Sequence, residues 1–309
     1  MITAVSLNPA IDRTIELNGF HYGGMNRVVT QRDDAGGKAV NMAATAARLG
    51  EMAEVVGVQY RQNGAPLAEK LGRFCVGYDY ILREGEMRVN LKLLDTQKGV
   101  ITEVNAPGTP LTEQEKESLT ALILAHAQRA DFLVLTGSLP KGCAPDYYAE
   151  LTAGAGALGC KCVLDAEGDA MREGLKAHPY LIKPNQMELE MLVGSSLKDR
   201  KEILAAAESL FEWGVRYVAV SMGSEGALLT DGQETWFAEP ISVRVGSTVG
   251  AGDAMVAGMT AALLRGRSLG EVLRLGVASA TACVMTEGTW PAEKKDIDRL
   301  YSQIQIRKV

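Results

Sequence analysis

Histidine is scarce in this chain: three occur in 309 residues, at His21, His126 and His178. None stands at a metal-ligand spacing, and no Ser/His/Asp order offers itself for nucleophilic catalysis. Cysteine is sparse as well, five in all, and no second Cys/His cluster completes a metal site. Cys160 and Cys162 flank Lys161 in the strand-like "CKCVLD", so they share one face. They read as buried, reduced thiols, which places the protein in a reducing cytoplasm. Positive charge is not in excess. Lys and Arg number 32 against 38 Asp and Glu, a formal charge of −6 without any basic run, and this argues against a nucleic-acid partner. Long apolar runs are missing too. The most apolar helical stretch, "AMVAGMTAALL", is too short to span a bilayer, so no membrane partner is expected. The opening "MITAVSLNPA" has no basic leader and no small-residue cleavage site, so no signal peptide is expected. Linkers of low complexity and internal repeats are absent. What is present, 47% hydrophobic residues with mean hydropathy near zero, suits one large domain or one domain with a small appendage.

The pattern along the chain is alternation. Short β-rich runs, "ITAVSLN", "AEVVGVQ", "DFLVLTG", "CKCVLDA", "PYLIKP" and "VRYVAVSMG", are separated by helical patterns such as "KAVNMAATAARLG", "TEQEKESLTALILAHAQR", "PDYYAELTAGAG" and "LKDRKEILAAAESLFEWG". Nearly continuous apolar strands between amphipathic helices predict an α/β fold with a mostly parallel central sheet and helices on both faces. From Gly252 onward the sequence reads as largely helical. Two segments break the pattern: residues 12–20 and residues 87–104 look like strands and hairpins without helices. In "RVNLKL", Arg88, Asn90 and Lys92 share one face and Val89, Leu91 and Leu93 the other. The polar face is either a solvated outer face or a ligand-facing one.

The stretch "STVGAGDAMVAG" packs glycines at 250 and 252 just before Asp253 and a helix. The strand-like "PISVRV" leads into it. Glycines allow a tight turn and close approach of a ligand to the backbone, and free N–H groups at a helix start form an anion site. Asp253 either caps the helix or serves as a general base beside that anion site. Commoner nucleotide motifs fail. "GAGALG" at Gly154, Gly156 and Gly159 follows a helix and precedes a strand, the reverse of the dinucleotide-binding context, and reads as a helix stop. "DAGGKAVN" lacks the Ser/Thr and the earlier glycine of a P-loop.

"LNPAID", "AGGKAVNMA", "RVNLK", "LTGSLPKG", "IKPNQMELE", "SMGSEGAL" and "STVGAGDAMVAG" together resemble, in order and over nearly the whole chain, the ribokinase-like sugar kinases of the phosphofructokinase-B family. "NPAID", "RVNLK", "ITEVNAPG" and "TACVMTEGT" look most like its branch of 1-phosphofructokinases and tagatose-6-phosphate kinases. The resemblance implies one ribokinase-like kinase domain over residues 1–309 with a small β lid from residues 12–33 and 87–104. It implies ATP and Mg²⁺, and fructose 1-phosphate as acceptor, with tagatose 6-phosphate, fructose 6-phosphate or a plain sugar as alternatives. A homodimer through the lid is possible on the same ground.

Residue by residue, the resemblance implies Asp253 as base, with the Gly250, Ala251 and Gly252 amides on the transferring group. Asp12, Arg27, Gly36, Gly37, Lys38, Asn41, Arg88, Asn90, Lys92 and Ser138 would meet the sugar phosphate. Lys183, Asn185, Ser221, Gly223 and Gly226 would meet the nucleotide, and Glu188 would organise magnesium largely through water. Read without the family, Ser221, Gly223 and Gly226 are a hairpin, Glu188 a surface helix acid and Ser138 a turn hydroxyl. The segment "GVQYRQNG" (residues 57–64) departs from the glycine-rich stretch with an Asp found in many relatives, which bears on the sugar accepted rather than on phosphoryl transfer. A nucleotide-binding oxidoreductase and a catalytically silent sugar-phosphate-binding protein are the readings from other classes. The misplaced "GAGALG" argues against the first and the intact "GAGD" against the second.

Overall fold

The structure, a computed structural model, describes all 309 residues. In chain order the elements are β1 (Ile2–Ser6), β2 (Ala10–Leu17), β3 (Val28–Gly36), α1 (Lys38–Arg48), β4 (Ala53–Tyr60), α2 (Ala65–Arg73), β5 (Gly77–Arg83), β6 (Arg88–Asp95), β7 (Val100–Val104) and α3 (Glu113–Ala127). There follow β8 (Phe132–Thr136), α4 (Tyr147–Ala157), β9 (Lys161–Asp165), α5 (Gly168–Leu175), β10 (Leu181–Ile182), α6 (Gln186–Val193), α7 (Arg200–Ser209), β11 (Tyr217–Ser221), β12 (Ala227–Thr230), β13 (Thr235–Ala238), α8 (Ala251–Leu264), α9 (Leu269–Val284), α10 (Lys294–Gln303) and β14 (Ile306–Lys308).

Ten strands form one sheet in the order β14-β13-β12-β11-β10-β9-β8-β1-β4-β5. From β5 across to β11 every neighbour is parallel; β11 through β14 are antiparallel. The parallel strands β1, β8 and β9 are buried almost throughout, as strands covered on both faces must be. Helices α1, α8, α9 and α10 form one covering layer, and α3, α4, α5, α6 and α7 the other. Helix starts are chemically marked: capping boxes join Thr112 to Glu115, Asn185 to Glu188 and Ser268 to Glu271. Helix α8 is buried from Asp253 through Ala262, so "AMVAGMTAALL" is apolar all round because it lies between α1 and α9. No helix is long and apolar enough to cross a membrane.

The two segments that broke the alternation build a second sheet, ordered β3-β2-β6-β7. The chain leaves the main sheet twice to make it, once between β1 and α1 and once between β5 and α3. The excursions meet in a parallel pairing of β2 with β6 that sets Asp12 opposite Asn90 and Thr14 opposite Lys92. Cys160 and Cys162 are buried and all five thiols are free. Gly159 ends the turn after α4 with φ of +82°, so "GAGALG" is a helix stop.

Some expectations give way. "PISVRV" is irregular rather than a strand, since no neighbouring strand edge pairs with it. The C-terminal region is largely helical as expected, through α8, α9 and α10, and adds only the short β14, which pairs with β13. "PYLIKP" supplies only a two-residue strand before Pro184, whose ring offers no N–H to continue a ladder.

Tyr148, fully buried on α4, donates its hydroxyl to the carbonyls of Thr136 and Gly137 at 3.2 and 3.0 Å, and so fixes where β8 ends. Tyr148→Phe removes that donor without creating a large cavity. The expected loss is about 1–2 kcal/mol of stability, read as a lowered urea midpoint with unchanged m-value. An unchanged midpoint would show that the two carbonyls do not depend on the hydroxyl.

Candidate active site

The carboxyl ends of β1, β8, β9, β10 and β11 open into a cleft of about 870 Å³, the position at which parallel sheets present ligand-binding loops. The small sheet forms its roof. A second hollow of about 940 Å³ continues under the roof toward residues 244–249 and 285–289, and the two share Asp12, Lys92 and Val249.

At the floor, Asp165 ends β9 and is buried. Its Oδ1 lies 3.1 Å from Lys183 Nζ and its Oδ2 3.5 Å from Lys38 Nζ, and it accepts from the Thr136 hydroxyl at 3.1 Å. Burial alone would push this carboxyl up. The two lysines and the hydroxyl outweigh it and hold the carboxyl at about 2. Asp165 in turn holds the Lys38 ammonium well above its usual range.

Asp253 sits in the first turn of α8, 6% exposed. It does not cap the helix: Gly250 is the N-cap residue, no side chain caps it, and Asp253 Oδ2 accepts instead from Asn41 Nδ2 at 2.9 Å. Gly250 stands at φ of +82°, a conformation that would strain any side chain. The N–H groups of Gly250, Gly252 and Asp253 have no protein partner, whereas that of Ala251 turns back to the Thr248 carbonyl at 3.4 Å. Burial, with the nearby Asp165 charge, raises the Asp253 carboxyl to about 6 against the pull of Lys38, Asn41 and Lys183. An anion-seeking helix end and a carboxylate poised near neutral pH therefore meet at one point.

In the roof, Asn90 Nδ2 donates to Asp12 Oδ1 at 3.1 Å, and Lys92 Nζ lies 3.4 Å from Asp12 Oδ2. A Cβ on Gly36 would fall 2.4 Å from Asp12 Oδ2, so any side chain there would force Asp12 to shift. Gly37 then starts α1 at φ of +111°. Arg88 Nε and Nη2 both donate to the Asn8 carbonyl, at 3.2 and 3.0 Å, and Nη1 donates to the Ala106 carbonyl at 2.7 Å. The guanidinium thus ties β6 to the two loops beside it and keeps two further N–H groups for the cleft. Ser138 accepts from Asn8 Nδ2 at 3.2 Å.

Asp12, Gly37, Lys38, Asn41, Arg88, Asn90, Lys92, Ser138, Lys183, Asn185, Glu188, Ser221, Gly250, Gly252 and Asp253 all line the cleft. Gly36 abuts it through Asp12. Ala251, Gly223 and Gly226 do not line it; the two glycines shape the turn between β11 and β12, both at positive φ. Arg27 is exposed on the loop before β3, outside the cleft, with the Met25 sulfur as its partner. Glu188 gives one oxygen to the Asn185 N–H, closing the capping box, and its other oxygen has no partner. In "GVQYRQNG", Gln59 bonds the Gly64 carbonyl and Tyr60 accepts from Arg83, so the departing segment is tied up away from the cleft.

Two residues escaped sequence reasoning. Asp165 lies in "CKCVLDA", but nothing marks one carboxylate at a strand end until its two lysines are brought to it from residues 38 and 183. Lys141, exposed on the loop after Ser138, adds a cation to the cleft rim.

A family model described as pfkB family carbohydrate kinase matches residues 5–295. The chain is 38% identical over 278 residues to a 1-phosphofructokinase of Rhodobacter capsulatus, covering 90% of this chain and 88% of that one. It is 41% identical over 266 residues to a 1-phosphofructokinase of Xanthomonas campestris, covering 84% and 83%. Among solved structures it is similar to phosphofructokinase-2 from Escherichia coli in complex with substrates and products, at 30% identity and a TM-score of 0.91 over 98% of both chains.

A carboxyl raised from 3.8 to about 6 is protonated more readily in the folded protein than in the unfolded chain. Its folded state is therefore favoured at low pH, and that advantage is lost as pH rises from the lower value through the higher. Asp253→Asn removes the cost of burying the ionised form. The variant should exceed the parent in stability at pH 7.5 by up to about 3 kcal/mol, at about 1.4 kcal/mol per unit, and the gap should close toward pH 4. Paired denaturant titrations across that range check it, and a gap independent of pH would contradict the buried-carboxylate account.

Proposed function

Because the chain belongs to the pfkB family of carbohydrate kinases, we propose that it transfers the γ-phosphoryl group of ATP to fructose 1-phosphate, giving fructose 1,6-bisphosphate. The observation that carries the reading is Asp253, buried beside open amides at the start of α8 with its carboxyl at about 6. Above that pH it is an ionised base within reach of an acceptor hydroxyl. The hydroxyl gives its proton to Asp253 as its oxygen bonds to the γ-phosphorus, and ADP departs. The Gly250 and Gly252 N–H groups and the positive end of α8 meet the charge on the transferring oxygens. The acceptor's similarity-based identity comes from the relatives named 1-phosphofructokinase, and Arg88, Lys92 and Lys141 supply the cations a phosphorylated sugar needs.

Lys183, Asn185 and Ser221 face the nucleotide side, and the turn holding Gly223 and Gly226 borders it. No cluster of three acidic, cysteine or histidine side chains forms an all-protein metal cage. The free Glu188 oxygen at the cleft fits a hard ion that keeps most of its waters and binds through one carboxylate and substrate phosphates. Magnesium held there would neutralise phosphate charge. Strands β2, β3, β6 and β7 act as a lid that keeps water from the reacting phosphate. Their exposed apolar side chains, Val28, Val29, Val100 and Val104 with Tyr22 and Met25 beyond, suit a homodimer packed lid against lid. Five unpaired thiols suit a reducing cytoplasm.

Two measurements test this reading. ADP release should show the highest kcat/KM with fructose 1-phosphate in a panel with tagatose 6-phosphate, fructose 6-phosphate and fructose. Preference for another sugar phosphate would overturn the acceptor and leave the kinase standing. Arg88→Ala should weaken fructose 1-phosphate binding by about 1.5–3 kcal/mol, the range for hydrogen bonds to charged groups, with the KM for ATP little changed. Equal losses for phosphorylated and plain sugar would mean that Arg88 serves only to tie β6 to its neighbouring loops.

A further inference from the structure

Three lysines are buried in this protein away from the surface: Lys70, Lys92 and Lys183. Lys92 pairs with Asp12 and Lys183 with Asp165, but Lys70 has no carboxylate within ion-pair distance. Its Nζ donates to the Ala35 carbonyl at 2.8 Å, to Asn41 Oδ1 at 3.0 Å, and to the carbonyl and hydroxyl of Thr289 at 3.0 and 3.2 Å. Those oxygens come from three separate places: the end of lid strand β3, the first turn of α1 and the loop after α9. Burial lowers the Lys70 ammonium to about 8, so the charge is kept at a cost that a methionine of similar length would not incur.

The contact with Asn41 has a chemical consequence. An ammonium only donates, so it must face the oxygen of the amide. Asn41 Oδ1 is thereby fixed on Lys70, and Nδ2 is left pointing at Asp253 Oδ2, 2.9 Å away. Released from Lys70, the amide could turn and bring its oxygen against the carboxylate.

We propose that Lys70 is a positioning residue for phosphoryl transfer: it sets the Asn41 amide so that Nδ2 holds the Asp253 carboxylate in place, and it fastens that amide to the end of strand β3 at Ala35. The inference rests on the reading of Asp253 as the base. The charged and titratable groups that face Asp253 are Lys38, Lys183 and Asp165, and Cys283 stands nearby; those that face Lys70 are Asp34, Asp12, Asp253 and Cys283. Removing Lys70 takes away both a hydrogen-bond donor's anchor and a positive charge, and both losses push the Asp253 carboxyl upward.

The test is the pH profile of kcat for the parent, Lys70→Met and Lys70→Gln, with Asp253→Asn alongside. Lys70→Met should lower kcat by about 10- to 100-fold, the scale of a misplaced catalytic group. It should also move the acid limb of the profile to higher pH, while the KM for ATP stays within about twofold. Lys70→Gln, which offers an N–H donor one bond shorter and carries no charge, should lie between Lys70→Met and the parent. A folded Lys70→Met protein with the parent's kcat and acid limb overturns the proposal, and so does a fall in kcat with the acid limb unmoved, since that is a structural loss alone. If Lys70→Met does not give a cooperative melt, the acid limb of Lys70→Gln decides in the same way. Turnover retained in Asp253→Asn sinks the base reading and this inference together. Turnover lost there while the Lys70 variants behave as parent sinks only the inference.

Discussion

A carboxylate withdrawn from water at the end of β9 holds the cleft together. Asp165 cannot be buried as an anion unless cations come to it, and the two that come, Lys38 and Lys183, arrive from the start of α1 and the end of β10. Their approach fixes both walls of the cleft relative to its floor. The same lysines also face Asp253, and Lys38 faces Glu188 and Glu167 as well, so the floor is a mixed ion group. The geometry that satisfies a buried aspartate thus also brings two ammonium groups to the cleft.

Around that floor, helix starts are gathered rather than scattered. Helices α1, α6 and α8 all begin at the cleft, with Gly37, Asn185 and Gly250 as their first flanking residues. Each brings unpaired or half-paired N–H groups and the positive end of its dipole. Asp253 stands among them as an acid in a positive neighbourhood, yet burial keeps its carboxyl raised. Burial and the Asp165 charge pull it one way, Lys38, Asn41 and Lys183 the other, and the carboxyl comes to rest at about 6.

Much of this was legible in the sequence, for physical reasons that differ from part to part. The alternation of apolar strands with helices marked the large sheet, because covered parallel strands must be apolar on both faces. The polar face of "RVNLKL" marked the small sheet, because only a strand places Arg88, Asn90 and Lys92 together. "STVGAGD" marked the turn and the helix start that leave amides open beside Asp253. What stayed hidden depends on residues far apart in the chain. Asp165 and Lys70 look ordinary alone, and their meaning comes from partners that folding delivers. Ala251, in the middle of "GAGD", could not be told from its neighbours until the turn showed its N–H bonded back to Thr248. Arg27 illustrates the reverse: its charge suited the site, but the loop that carries it leaves it outside the cleft.

The parallel pairing of β2 with β6 has a consequence for the order in which this molecule forms. The two strands belong to different excursions from the main sheet, and α1, β4, α2 and β5 lie between Asp12 and Asn90 in the chain. Closing so long a loop costs entropy before any pairing repays it. The roof therefore closes across β2 and β6 more slowly than its local hairpins β2–β3 and β6–β7 form. Its strand β7, exposed along its whole length and paired on one side only, is the last to be held and the first to be released. All four roof strands lie before residue 105 and Asp165, Lys183 and Asp253 after it, so a nascent chain carries its roof before the floor it covers has been made.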